Sequence, residues 1–175
     1  MSKIVTVFGS SAPKPGDEEY ETAYTLGKLL GKNGLDVCTG GYQGIMDAVS
    51  KGAVENGTKA VGVTVDIFNA KVSKYLNQEI KCPTLFERIQ KLVELGDAYI
   101  ILRGGTGTLV ELSIVWEMFN KNLMQEKPIA CHGQMWGSLI STFDERMKFE
   151  GRKYGFIYIG ETIADCANYI IEKLK

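Results

Sequence analysis

The sequence predicts an α/β fold, a doubly wound parallel sheet with helices on both faces. Short β-rich apolar runs alternate with stretches of helical period, the signature of βαβ crossovers. Those runs are apolar at nearly every position, as expected for strands covered on both sides. The turns after the first, second and fourth runs, "GSSAPKPG", "TGGYQG" and "RGGTGT", are rich in Gly, Ser or Thr. In such a sheet, ligands sit beyond the carboxyl ends of the strands, which is where these turns fall.

Taken in order, Ile4–Phe8 reads as the first strand, and the start "MSKIVTVFG" is too short and too early for a signal peptide. Glu18–Lys32 puts Ala23, Leu26, Leu29 and Leu30 on one helical stripe, with Gly34 as a stop. Leu35–Cys38 is the second strand, and Gly44–Asn56, with Ile45, Met46, Val49 and Val54, the second helix. Ala60–Val65 is the third strand. The polar stretch Asp66–Thr84 after it has no regular pattern, and its length fits either a binding-loop lid or a surface excursion. Leu85–Leu95 is amphipathic, Ala98–Leu102 is the fourth strand, and Thr108–Lys121 is the next helix. Pro128–Cys131, a helix over Trp136–Lys148, a short strand in "YGFIYIG" and a helix over Ile163–Leu174 complete the chain. No repeat or linker interrupts it, so residues 1–175 are expected to form one domain.

Composition narrows the function. Hydrophobic residues make up 45% and charged residues 23% of the 175, the balance of a soluble globular protein. A net charge of −1 gives no global field for DNA, RNA or an anionic membrane, so any anion must be held by local geometry. No apolar run approaches the roughly 18 residues of a membrane span. The four cysteines, Cys38, Cys82, Cys131 and Cys166, form no C-x-x-C pair and there is one His, which argues against a metal site. This usage predicts free thiols in a reducing cytoplasm.

The chemistry centres on "ILRGGTGTLVE", residues 101–111. Glycines there let a ligand approach the backbone, and Thr106 or Thr108 can cap the following helix. The free N–H groups of a helix's first turn, with its dipole, hold an anion without a Lys. The missing Lys excludes a P-loop but not a monophosphate site. The alternative is a tight turn with an ordinary cap. Glu111, three residues past Thr108, either closes a capping box with it or faces the same mouth as the glycines. "TGGYQGIMDA" repeats the glycine logic with Gly40, Gly41 and Gly44. Arg88 opens a helix, where its default is a solvated side chain paired with Glu87 or Glu94.

Together, "FGSS" after the first strand, "TGGYQGIMDAVSKGAVENG" after the second, Arg88 and "GGTGTLVE" resemble the LONELY GUY (LOG) family, long mislabelled "lysine decarboxylase". The resemblance runs from about Ile4 to Cys131. It implies a Rossmann-like fold, a homodimer, no cofactor, and hydrolysis of a nucleoside 5′-monophosphate to free base and ribose 5-phosphate. It further implies that Arg88 and Glu111 are the catalytic pair. Gly104, Gly105, Thr106, Gly107 and Thr108 become the phosphate turn, and Gly9, Ser10, Gly40 and Gly41 line the pocket. Three departures stand out: Arg103 replaces the family's Pro before the glycines, Ile89 replaces the Lys after Arg88, with Lys91 two residues on, and the stretch leaving the third strand, "VDIFNAKVSKYLNQEI", also differs. Arg103 either adds a phosphate contact or points to solvent, and its place at a strand end facing the mouth favours the contact. The alternative reading is a carrier that binds a nucleotide or a molybdenum-cofactor-like phosphate ligand without chemistry.

Overall fold

The computed structural model describes residues 2–175. In chain order the elements are β1 (Ile4–Phe8), α1 (Glu18–Lys32), β2 (Asp36–Thr39), α2 (Ile45–Val54), β3 (Ala60–Val65), β4 (Gln78–Cys82), α3 (Leu85–Leu95), β5 (Ala98–Ile101), α4 (Thr106–Asn120), β6 (Ile129–His132), α5 (Gln134–Phe149), β7 (Tyr158–Gly160) and α6 (Ile163–Leu174). The strands form one sheet in the order β4-β3-β2-β1-β5-β6-β7, with every pairing parallel.

Alternation along each strand sorts the side chains between two cores. Val5 and Val7 of β1, Val37 of β2 and Ile100 of β5 pack with α1, α2 and α6. Phe8, Cys38, Val63, Tyr99 and Ile101 pack against α3, α4 and α5 on the other face. The doubly wound reading therefore holds, with three helices to a side. Burying the strands on both faces is what makes them apolar throughout.

The order of the strands decides where a ligand can sit. From β1 the chain winds outward through β2, β3 and β4, then returns to place β5 on the other side of β1. The winding direction reverses between β1 and β5, so the turns leaving these two strands diverge to opposite faces and leave a crevice. Gly9–Ser11 leaves β1 there and Arg103–Gly105 leaves β5. Two backbone bonds stitch the turns together: Ser10 N–H donates to Arg103 O at 3.0 Å, and Ile45 N–H to Ser10 O at 2.9 Å.

One sequence expectation needs correction. Asp66–Thr84 is not irregular throughout, because it contains β4. As an edge strand β4 pairs only with β3, and only Cys82 among its residues is buried, so it lacks the apolar signature of its neighbours. The parallel β3–β4 connection also lacks a crossover helix. Residues 66–77 instead run as an extended strap from the carboxyl end of β3 to the amino end of β4.

The strap is fastened at its middle. Ser73 donates its hydroxyl to Asp47 Oδ1 at 2.7 Å, and Ser73 N–H donates to Gly41 O at 2.9 Å. Tyr20 donates to the other oxygen of the same buried carboxylate at 2.6 Å. Gln43 reaches the carbonyls of Lys71 and Val72 at 3.3 and 3.2 Å. Replacing Asp47 by Ala leaves two buried hydroxyls without their acceptor. The expected cost is about 2–4 kcal/mol, measured as a lower urea midpoint at unchanged slope.

Candidate functional site

A cavity of about 660 Å³ opens at the carboxyl ends of the strands, between the turns after β1, β2, β3 and β5. That is within the usual size range for small-ligand sites. Its lining includes Gly9, Ser10, Gly40, Arg88, Gly105, Thr106, Gly107, Thr108 and Glu111, nine of the twelve residues singled out from sequence.

The β5–α4 turn supplies one wall of the cavity. Helix α4 begins at Thr106, earlier than the sequence pattern suggests, and its N-cap is Gly105. No side chain caps it, so neither Thr106 nor Thr108 fills that role. The first-turn N–H groups of Thr106, Gly107 and Thr108 therefore have no intrahelical acceptor and border the cavity. Gly104 does not line the cavity. Its missing Cβ instead makes room for the buried Thr108 hydroxyl. Gly41 is likewise a support: its φ of +79° turns the chain, and a Cβ there would stand 2.8 Å from Thr64.

Arg88 and Glu111 come together. The Arg88 Nη1 to Glu111 Oε1 distance is 3.5 Å, and both side chains are buried, at 8% and 11% exposure. Neither structural default from the sequence applies. The Thr84 N-cap accepts from Glu87 N–H and donates to the Glu87 carboxylate, while Glu94 pairs with Gln90 and Lys91. Glu111 forms no capping box, since its carboxylate is turned to Arg88 and the cavity.

Arg88 is held rigidly. Its Nε donates to Val63 O at 2.8 Å and its Nη2 to Gly40 O at 3.3 Å. The Tyr42 ring lies 5.7 Å from its guanidinium carbon. Gly40 is Gly for this reason, because a Cβ there would occupy the space of Nη2. The β2 and β3 ends thus fix a cation from α3 beside a carboxylate from α4. Burial pushes the Glu111 carboxyl up from 4.5 to about 7, with the Arg88 charge and hydrogen bond opposing that rise.

Arg103 does not line this cavity. Its side chain is 63% exposed and pairs with Glu19 at 3.4 Å, beside a separate small cleft with His132. The turn offers its backbone, not its side chain, at this strand end. Ile89 is buried in the core, so the family's Lys position faces away from the cavity, and Lys91 sits at the surface with Glu94.

Sequence reading named as site residues none of those on one wall of the cavity, Tyr42, Met46, Ile67, Phe68, Asn69 and Ala70, though it offered the segment that carries the last four as a binding loop. The signal available was an aromatic next to each of two strand exits, in "TGGYQG" and "VDIFNA".

Among the described residues no group of His, Cys, Asp or Glu is arranged to hold a metal ion, and no helix is long and apolar enough to cross a membrane. All four cysteines are buried and free.

Residues 2–145 match the model of the SLOG cluster4 family. The chain belongs to this family. The LOG resemblance is supported by a rice (Oryza sativa subsp. japonica) relative named "Probable cytokinin riboside 5′-monophosphate phosphoribohydrolase". It is 31% identical over 170 residues, 87% of this chain and 67% of its own length. A cytokinin riboside 5′-monophosphate phosphoribohydrolase of Rhodococcoides fascians is 31% identical over 113 residues. That match covers 62% of this SLOG cluster4 chain and 57% of the relative, so the chain spans little more than half of that protein. Among solved structures, the molybdenum cofactor carrier protein of Chlamydomonas reinhardtii superposes with a TM-score of 0.79 at 20% identity, covering 99% of both chains. At that identity the likeness is one of fold.

The raised Glu111 carboxyl makes stability depend on pH. Between about 4.5 and about 7 the folded chain holds a proton that the unfolded chain has released. This contribution is fully present below about 4.5 and is lost as pH rises through about 7. Urea unfolding is expected to show a decline of up to about 3 kcal/mol across that window, and Glu111→Gln removes it.

Proposed function

We propose that this protein is a nucleoside 5′-monophosphate phosphoribohydrolase. The observation that carries the reading is the buried Arg88–Glu111 pair set in one cavity with the uncapped start of α4. The names of the curated relatives support the same chemistry.

In this reading the substrate phosphate takes the N–H groups of Thr106, Gly107 and Thr108, with Ser10 alongside. One phosphate carries too little charge to require the Lys of a triphosphate site. The anchored nucleotide lays its ribose toward Glu111, one helical turn further along α4. Cleavage passes through an oxocarbenium-like state, and an ionised Glu111 stabilises that positive charge. The same carboxylate takes a proton from water as its oxygen bonds to C1′. The C1′–N bond breaks, its electron pair leaves with the base, and the proton taken up by Glu111 passes to the base nitrogen, which restores the carboxylate. Arg88, tied to two carbonyls, cannot swing to the phosphate. It keeps Glu111 ionised more readily than burial alone allows and presents a cation to the ribose hydroxyls.

The assembly we propose is a homodimer through α4 and α5. Between these helices lies an apolar cleft of about 280 Å³ containing Leu109, Trp116, Leu139 and Phe143. Trp116 Nε1 and both Asn120 amide atoms are buried there without a hydrogen-bond partner, and a second copy would supply one. Light scattering at micromolar concentration is expected to give twice the 19.3 kDa chain mass.

Chromatography of reactions with a panel of nucleoside 5′-monophosphates tests the activity. The expected products are free base and ribose 5-phosphate, and Glu111→Ala should lower kcat by about a hundredfold to ten-thousandfold. Because the ionised carboxylate is the working form, kcat/KM should rise with pH through about 7. Nucleotide that binds but is never cleaved would identify a carrier instead.

A further inference from the structure

We infer that Phe68 is the platform on which the substrate's base stacks, and that this chain accepts its base by the flat face rather than by hydrogen bonds to its edge. The inference rests on the proposed nucleotide reading and adds the class of base.

With the phosphate at the start of α4 and the ribose at Glu111, the base falls to the wall beyond β2 and β3, made of Tyr42, Met46, Ile67, Phe68, Asn69 and Ala70, with Val7, Phe8 and Ser11 of the β1 exit completing the lining. This wall can read little of a base edge. The Tyr42 hydroxyl is used in both directions, donating to Val65 O and accepting from Val65 N–H, each at 2.8 Å. Asn69 is then the one polar side chain of the six free to make such a bond. What the wall has in quantity is unspent apolar surface. Phe68 is 42% and Ile67 64% exposed, yet both border the cavity.

The ring is also held in place. It lies 5.9 Å from the Tyr42 ring and 5.9 Å from the Arg88 guanidinium carbon. Phe68 N–H donates to Val65 O at 3.3 Å, and Ser73 anchors the strap five residues on. One part of the ring therefore packs on fixed groups and the rest meets solvent at the cavity. A base stacked there removes apolar surface from water and gains a π contact. Because every base has a π-face, such a site tolerates changes of base. A site that hydrogen-bonds the base edge can instead reject an analogue by a factor of about ten thousand. Purine and pyrimidine nucleoside 5′-monophosphates should both be taken, with kcat/KM values among adenine, guanine and hypoxanthine nucleotides within about tenfold.

Calorimetry in the Glu111→Gln background, which spares the ligand, compares AMP with ribose 5-phosphate, the same anion without a base. Phe68→Ala is expected to weaken AMP by roughly five- to hundredfold while leaving ribose 5-phosphate unchanged, and Phe68→Tyr to retain AMP. Equal loss for both ligands, or no loss for AMP, overturns the platform. A parallel assay of free-base release, with Glu111 intact, separates the two readings. Phe68-dependent AMP binding without any release leaves the platform standing and removes the hydrolase. Release at unchanged KM in Phe68→Ala does the reverse, and failure of both ligands to bind removes both. Because Phe68 is half-exposed, its Ala variant should melt within a few degrees of wild type, which scanning calorimetry checks.

Discussion

A guanidinium and a carboxylate taken out of water together are the constraint around which the carboxyl end of this sheet is organised. An ion pair at 3.5 Å with little solvent does not stabilise a fold by itself, since desolvation of both charges offsets their attraction. It persists because the surroundings complete the solvation that water would have given. Val63 O and Gly40 O, carbonyls near the ends of two strands, take two of the remaining donors of Arg88. The incomplete compensation remains visible in Glu111, whose carboxyl still lies well above its ordinary range. A group in that state is unusual as scaffolding and suited to proton transfer near neutrality.

The fold was readable because its signals are local and redundant. Apolar runs, helical stripes and glycine turns each pointed to the same βα alternation, and every long helix appeared where its period placed it. β4 escaped because an edge strand need not be apolar, and its polar residues look like loop. The strap hid it further, since parallel strands are expected to be separated by a helix.

The site was less legible, for a different reason. Local sequence offers Glu111 two partners at helical spacing, Thr108 in a capping box or something across the mouth, and only tertiary structure chooses. The same applies to Arg88, whose neighbours Glu87 and Glu94 are claimed by a cap and by Gln90 and Lys91. Arg103 shows the opposite limit. Its position at a strand end was read correctly, but which way an exposed side chain turns is not encoded by position, and Glu19 draws it aside. Recognition of the family pointed to Arg88 and Glu111 together and to the glycine turn, whereas residues 67–70 of the aromatic wall lie in the stretch after β3 where this chain departs from that pattern.

Gly40 carries a consequence for how such a sequence can change. It has no left-handed backbone to excuse it, since what keeps it glycine is the bulk of two side chains, Met46 and, closer still, Arg88, 48 residues away. The two positions therefore share one volume. A lineage that gives up Arg88 removes the tighter of the two obstacles to a side chain at position 40, leaving the end of Met46 to move, and once a side chain enters, the guanidinium has no room to return. Loss of the pair would act as a ratchet, so glycine at that turn serves as a marker of descendants that still keep the cation beside the carboxylate.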